Sequence, residues 1–107
     1  MWSATFALIS VLVLPPIGVR IENHSHCPVH VALVDGSRRL RQVYVESLRR
    51  EDVAVHAHSG SILRFVVTPG AGCGFARFEV NGYFEPRDAQ LLVTVGNGAL
   101  LSKVARR

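Results

Sequence analysis

Two short motifs in the sequence could hold a metal ion. His24-x-His26 and His56-x-His58 each place two imidazoles on one face of an extended chain, about 7 Å apart along the strand. Two such pairs on neighbouring strands would supply three or four nitrogen ligands to Zn²⁺ or Cu²⁺, with His30 as a fifth ring. The competing reading is that these are solvent-facing strand and loop residues. Asp52 is the one carboxylate that could approach a member of the set, His56.

A second chemistry-bearing feature is a basic run. Arg38, Arg39, Arg41, Arg49 and Arg50 stand against Glu46 alone, a surplus equal to the formal net charge of +4 of the whole chain. A positive stripe of this kind can bind an anionic surface or a phosphate backbone. The other charges balance, and no aromatic motif of the RNA-binding type accompanies the run, which argues against nucleic acid. The alternative is a charged edge strand, since charges on edges suppress sheet-to-sheet association.

Other motifs fall short of a site. The cluster Gly70-Ala71-Gly72-Cys73-Gly74 lacks the third glycine of a dinucleotide loop, because Phe75 stands there, and no Gly-Lys-Ser/Thr follows. Ser59 and Ser61 lie in a Ser-Gly-Ser turn rather than a nucleophile elbow. Asn23-His24-Ser25 fits a glycosylation sequon, which matters only in a eukaryotic secretory pathway. The sequence offers no catalytic residue set and implies no cofactor.

Cys27 and Cys73 are the two cysteines of the chain. In an oxidising compartment a bridge between them would close a long loop and stabilise a small domain by roughly 4 kcal/mol on the chain-entropy model. Two buried thiols, or a reactive Cys73, are the alternatives.

The elements that must position these residues read as strands. From Arg20 onward the apolar residues recur at period two: Val29, Val31 and Leu33; Val43 and Val45; Val53, Val55 and Ala57; Leu63, Phe65 and Val67; Ala76, Phe78 and Val80; Leu91, Val93 and Val95. Asp35-Gly36, Asn81-Gly82 and Asn97-Gly98 carry hairpin chemistry, and Pro69-Gly70 stops a strand. Ser47 to Val53 is the one stretch where a helical turn competes. Six to eight short strands at this spacing predict an all-β fold, a single antiparallel two-layer β-sandwich of Ig-like or prealbumin-like type. Its core is expected to contain Val31, Val43, Val55, Phe65, Phe78 and Val93.

With 107 residues there is room for one core, and 49% hydrophobic against 19% charged residues excludes a disordered chain. Trp2 to Leu14 is uncharged and apolar, too short to span a bilayer and of signal-core length. Residues 1–18 therefore read as a signal peptide or apolar N-terminal anchor, and 19–107 as the β-sandwich domain. The expected location is secreted, periplasmic or otherwise in the cell envelope.

The stretch from Asn23 to Val95 resembles a group of small exported bacterial β-sandwich domains without an assigned function. The matching positions are Asn23, then Val29 and Val31, the turn Gly36, Arg38-Arg39-Leu40, Val43, Phe65, Pro69, Pro86, Leu91 and Val93. Arg41 and Arg87 stand where that group has glycine. The resemblance implies the sandwich and supplies no chemistry. The sequence as a whole points to a non-catalytic exported binding or structural module whose partner is another envelope protein or an anionic surface. The alternative is a Zn²⁺- or Cu²⁺-binding domain using the paired histidines.

Overall fold

Alternating apolar side chains make strands here because each strand buries one face and leaves the other to water. A computed structural model of the chain describes residues 16–57, 60, 62–83 and 90–106. The strands are β1 (Pro16–Asn23), β2 (Val29–Asp35), β3 (Arg38–Val45), β4 (Arg50–His56), β5 (Ile62–Pro69), β6 (Phe78–Tyr83), β7 (Gln90–Val95) and β8 (Lys103–Arg106), with a 3-10 turn at Ala99–Leu101. They form two four-stranded sheets, ordered β4-β1-β7-β8 and β3-β2-β5-β6. Between the sheets lie Ile17, Val19, Ile21, Leu33, Phe65 and Leu91, each at most 2% exposed. Of the expected core, Val31, Val43, Val55, Phe65 and Val93 are buried, and Phe78 packs half-buried against them.

Four details depart from the sequence reading. One concerns strand direction: β1 pairs antiparallel with β4 but parallel with β7, so the first sheet is mixed rather than antiparallel. The chain passes through the opposite sheet between these two strands, so the parallel pair needs no direct crossover. Another is the start of the fold. Pro16, Ile17 and Gly18, the last residues of the 1–18 segment, already belong to β1, where Ile17 is 2% exposed. The apolar segment Trp2–Leu14 lies outside the described residues.

Asn81-Gly82 is the third departure: it lies inside β6, opposite Arg64 and Leu63, and is not a turn. A Cβ on Gly82 would stand 2.5 Å from Val104 Cγ1, so this glycine serves close approach between β6 and β8. Last, Ser47 to Val53 forms a turn and a strand, with Leu48 at φ 61°.

The two open sides of the sandwich are closed differently. On one side Val104 of β8 fits against Gly82 of β6, and the Arg106 guanidinium lies 5.8 Å from the Tyr83 ring centroid. On the other, the edge strands β3 and β4 face each other. A bulge opposite the Leu33–Val34 step inserts Leu40 into β3, which turns Leu40 toward the core and aims Arg38 and Arg41 across the gap. Arg38 Nη2 donates to the His56 carbonyl (3.2 Å) and Arg41 Nη1 reaches the Ala54 carbonyl (3.5 Å). Guanidiniums thus take the place of a neighbouring strand along part of β4.

Candidate functional site

One end of the sandwich gathers the loops 24–28, 46–49, 70–77 and 96–102. The Cys27–Cys73 disulfide joins the first of these to the third, with Cα atoms 6.0 Å apart, a separation suited to a bridge. The rest of the end is organised by Asn23, which is 1% exposed. Its Nδ2 donates to the carbonyls of Cys27 (2.8 Å), Val45 (3.1 Å) and Glu46 (3.2 Å). Its Oδ1 accepts from the Ser25 N–H (3.0 Å) and the Ser25 hydroxyl (2.6 Å). Ser47 Oγ adds a bond to the Ser25 carbonyl (2.7 Å). The Asn23 side chain is thereby fully committed to holding loops, and the sequon has no accessible amide in the folded domain.

His24 and His56, one from each pair, do not meet. His56 is the register partner of Pro16, whereas His24 follows Asn23 at the opposite end of β1, roughly 25 Å away at strand rise. His24 Nε2 instead contacts the Glu22 carboxylate at 3.1 Å, and the His26 backbone N–H donates to Asn97 Oδ1. His58 lies outside the described residues. Among the described residues no group of three His, Cys, Asp or Glu side chains could hold a metal ion. Of the expected set His24, His26, His56 and His58, strand register, invisible in the spacing, sends His24 and His56 to opposite ends of β1.

The five arginines of the basic run also separate. Arg38 and Arg41 close the β3–β4 side, as described. Arg49 lies in the loop, where its backbone N–H donates to the Glu46 carbonyl and its own carbonyl accepts from the Asn23 N–H. Arg50 stands opposite Glu22 on the outer face of the first sheet. That face is balanced: beside the Arg50–Glu22 row, Arg20 Nε donates to Asp52 Oδ1 at 2.8 Å. This bond, and with it the charge attraction, holds the Asp52 carboxyl below its ordinary value and raises that of Arg20.

Only Arg39 reaches the outer face of β3-β2-β5-β6, where it joins two arginines that lie outside the run. Arg39, Val34 and Arg64 form one cross-strand row, continued by Asn81. The next row is Gln42, Ala32, Val66 and Glu79. In the third, Tyr44, His30 and Thr68 stand side by side, and Arg77 precedes Phe78, the partner of Val67. Within these rows lies a shallow recess of about 430 Å³, with Ala32, Val34 and Val66 as its floor and Arg39, Arg64 and Arg77 around it. The Tyr44 and His30 rings are in contact, with centroids 4.9 Å apart and planes tilted by 51°. Glu79 meets Arg64 at 3.5 Å, but both side chains are nearly half exposed, where such a pair contributes little and is readily exchanged.

The fold has a solved counterpart. An NMR structure of a protein from Eubacterium rectale superposes with a TM-score of 0.56 at 14% identity, over 85% of this chain and 87% of that one. The likeness is one of fold, that of a small bacterial β domain. No protein-family model and no curated protein matches the sequence.

Arg64 and Arg77 escaped the sequence reading because they are isolated in the chain and meet Arg39 only through strand order. A signal was nevertheless present. The outward positions of the central strands β2 and β5 include Ala32, Val34 and Val66, small apolar residues among longer polar ones that leave Val34 and Val66 only 9% and 8% exposed, which is the composition of a floor rather than of a solvating surface.

Proposed function

We propose that this domain is a non-catalytic, exported binding module that holds an anionic partner on the outer face of β3-β2-β5-β6. The observation that carries the reading is the grouping of Arg39, Arg64 and Arg77 around an uncharged floor, with Glu79 beside Arg64 as the neighbouring acid. A guanidinium presents paired N–H donors that match a carboxylate, sulfate or phosphate bidentately. The remaining side chains of the face are those of recognition: the Gln42 amide, the Ser37 and Thr68 hydroxyls and the two rings of Tyr44 and His30. Export is supported by the Cys27–Cys73 bridge, which persists in oxidising compartments. Among the described residues no helix is long and apolar enough to cross a membrane.

Elution of the purified domain from an immobilised dextran sulfate column in a salt gradient tests the face. Arg39→Glu with Arg64→Glu should elute at clearly lower salt than Arg49→Glu with Arg50→Glu, although both changes alter net charge equally. Co-elution of the two variants would show that overall charge, and not this face, governs binding.

A further inference from the structure

The arrangement of groups on the face points beyond an anion in general to one class of polymer. Resting on the reading of this face as an anion-binding surface, we propose that its ligand is an acidic polysaccharide. Such a strand carries carboxylate or sulfate groups at intervals and lays a sugar ring over the Tyr44–His30 pair.

Three observations support this class. First, the cations are spaced rather than continuous. Arg39 and Arg64 flank Val34 in one row, two strand spacings or about 10 Å apart, and Arg77 lies two rows away, beyond Thr68. A polyphosphate or nucleic acid carries charge on every unit and calls for an unbroken cationic track. An acidic glycan separates its charges by hydroxyl-bearing rings, and the extended disaccharide repeat is comparable to the Arg39–Arg64 spacing. Second, neutral hydrogen-bonding side chains alternate with the arginines: Ser37 and Gln42 beside Arg39, Asn81 beside Arg64, Thr68 toward Arg77. Hydroxyl groups between the charges of a glycan would find donors and acceptors there. Third, the apolar component is flat. Ala32, Val34 and Val66 make a pleated floor beneath the arginines, with Val34 and Val66 largely covered, and Tyr44, 49% exposed, supplies an open ring at its edge, the kind of surface that accepts the C–H face of a sugar. The exposed leucines of the domain, Leu48, Leu100 and Leu101, lie in the loops at the disulfide end, away from this face, while Ile62 and Tyr83, 57% and 47% exposed, form the cross-strand pair beyond Arg64 and Asn81 and extend its apolar surface.

The probes are a chondroitin sulfate hexasaccharide, hexagalacturonate, neutral maltohexaose, inorganic tripolyphosphate and a hexathymidylate, titrated calorimetrically into the full-length domain. At least one acidic hexasaccharide should bind about tenfold more tightly than maltohexaose and tripolyphosphate. Comparison of the sulfated with the carboxylated sugar identifies which anion the arginines select. Tyr44→Ala should weaken the acidic sugar about fivefold while leaving tripolyphosphate unchanged, and Arg39→Gln with Arg64→Gln should abolish sugar binding. Circular dichroism of each variant verifies that the sandwich is intact. If tripolyphosphate or the hexathymidylate binds as tightly as both acidic sugars, or if Tyr44→Ala affects neither class, the polysaccharide assignment is overturned while the anion-binding face stands. If no probe binds and the column variants co-elute, both readings fall together.

Discussion

Replacing Asn23 by alanine should be among the most damaging single changes this domain can receive, because its amide is committed to holding the loop end. The side chain donates three hydrogen bonds and accepts two, all in a site from which water is excluded. Part of the network would survive. The Cys27 carbonyl still accepts from Ser25 Oγ at 2.9 Å and the Glu46 carbonyl from the Arg49 N–H at 3.1 Å, so the groups left without this partner are the Val45 carbonyl and the Ser25 N–H. At about 1–3 kcal/mol for each of the two buried groups left unsatisfied, the cost is about 2–6 kcal/mol. That is a large share of the roughly 5–15 kcal/mol available to a domain of this kind, and corresponds to a fall in Tm of about 8–25 °C. Urea and thermal unfolding under non-reducing conditions would measure it. Asn23→Asp sharpens the test. It preserves size and acceptor but turns a carboxylate oxygen toward three carbonyls, so at neutral pH it should cost at least as much as alanine. Its carboxyl then binds a proton more readily in the folded than in the unfolded chain, so the loss should shrink as pH falls and the protonated group again donates. A loss below about 1 kcal/mol for Asn23→Ala, or an Asn23→Asp variant indifferent to pH, would refute this account of the loop end.

Three further outcomes follow from the described contacts. Cys27→Ala with Cys73→Ala should lower stability by roughly 4 kcal/mol on the chain-entropy model, with unchanged strand content by circular dichroism, and an unchanged urea midpoint would argue against the bridge. Asp52, whose carboxyl is held low by Arg20, contributes stability that is present above its unfolded value of 3.8 and lost as pH falls through the lower folded one. Wild type should therefore exceed Asp52→Asn in urea midpoint at pH 7, and the two should converge by about pH 2. Leu48 sits at φ 61° and is 73% exposed. Leu48→Gly should raise stability by about 0.5–1 kcal/mol, since the left-handed conformation costs an L-residue about 1–2 kcal/mol and glycine returns part of that in chain entropy; a fall in Tm would show that the leucine packs after all.

How far the sequence could be read depended on the range of the interaction concerned. Period-two alternation is local, and it placed Val29–Leu33, Leu63–Val67 and Leu91–Val95 in strands with the correct inward face. The disulfide was legible because two cysteines allow a single pairing. Asn81-Gly82 misled because the pair that favours a tight turn also suits a strand whose neighbour comes very close, and Val104 is that neighbour. The histidines and arginines misled for another reason. Residues adjacent in sequence were separated by register and by the bulge at Leu40, while Arg39, Arg64 and Arg77, far apart in sequence, were gathered by strand order. Asn23 was noticed as a sequon and as a point of family resemblance. Its role as the pin of the loop end depends on carbonyls at positions 27, 45 and 46, which no local pattern reveals.

The position of β1 also governs the order in which the molecule can be assembled. The first strand is an inner strand, with β4 on one side and β7 on the other, so its partners arrive in the second half of the chain. The β2–β3 hairpin can close as soon as it is made, and β5 can add to it, but the opposing sheet waits for residues beyond Gln90. Contacts of such long sequence separation form slowly, because the closure entropy must be met before the pairing returns anything. A chain of this design emerging through a narrow pore would remain foldable rather than folded until its end was nearly through. Stopped after β6, it would own every strand of one sheet, while β1 would have β4 on one edge and nothing on the other.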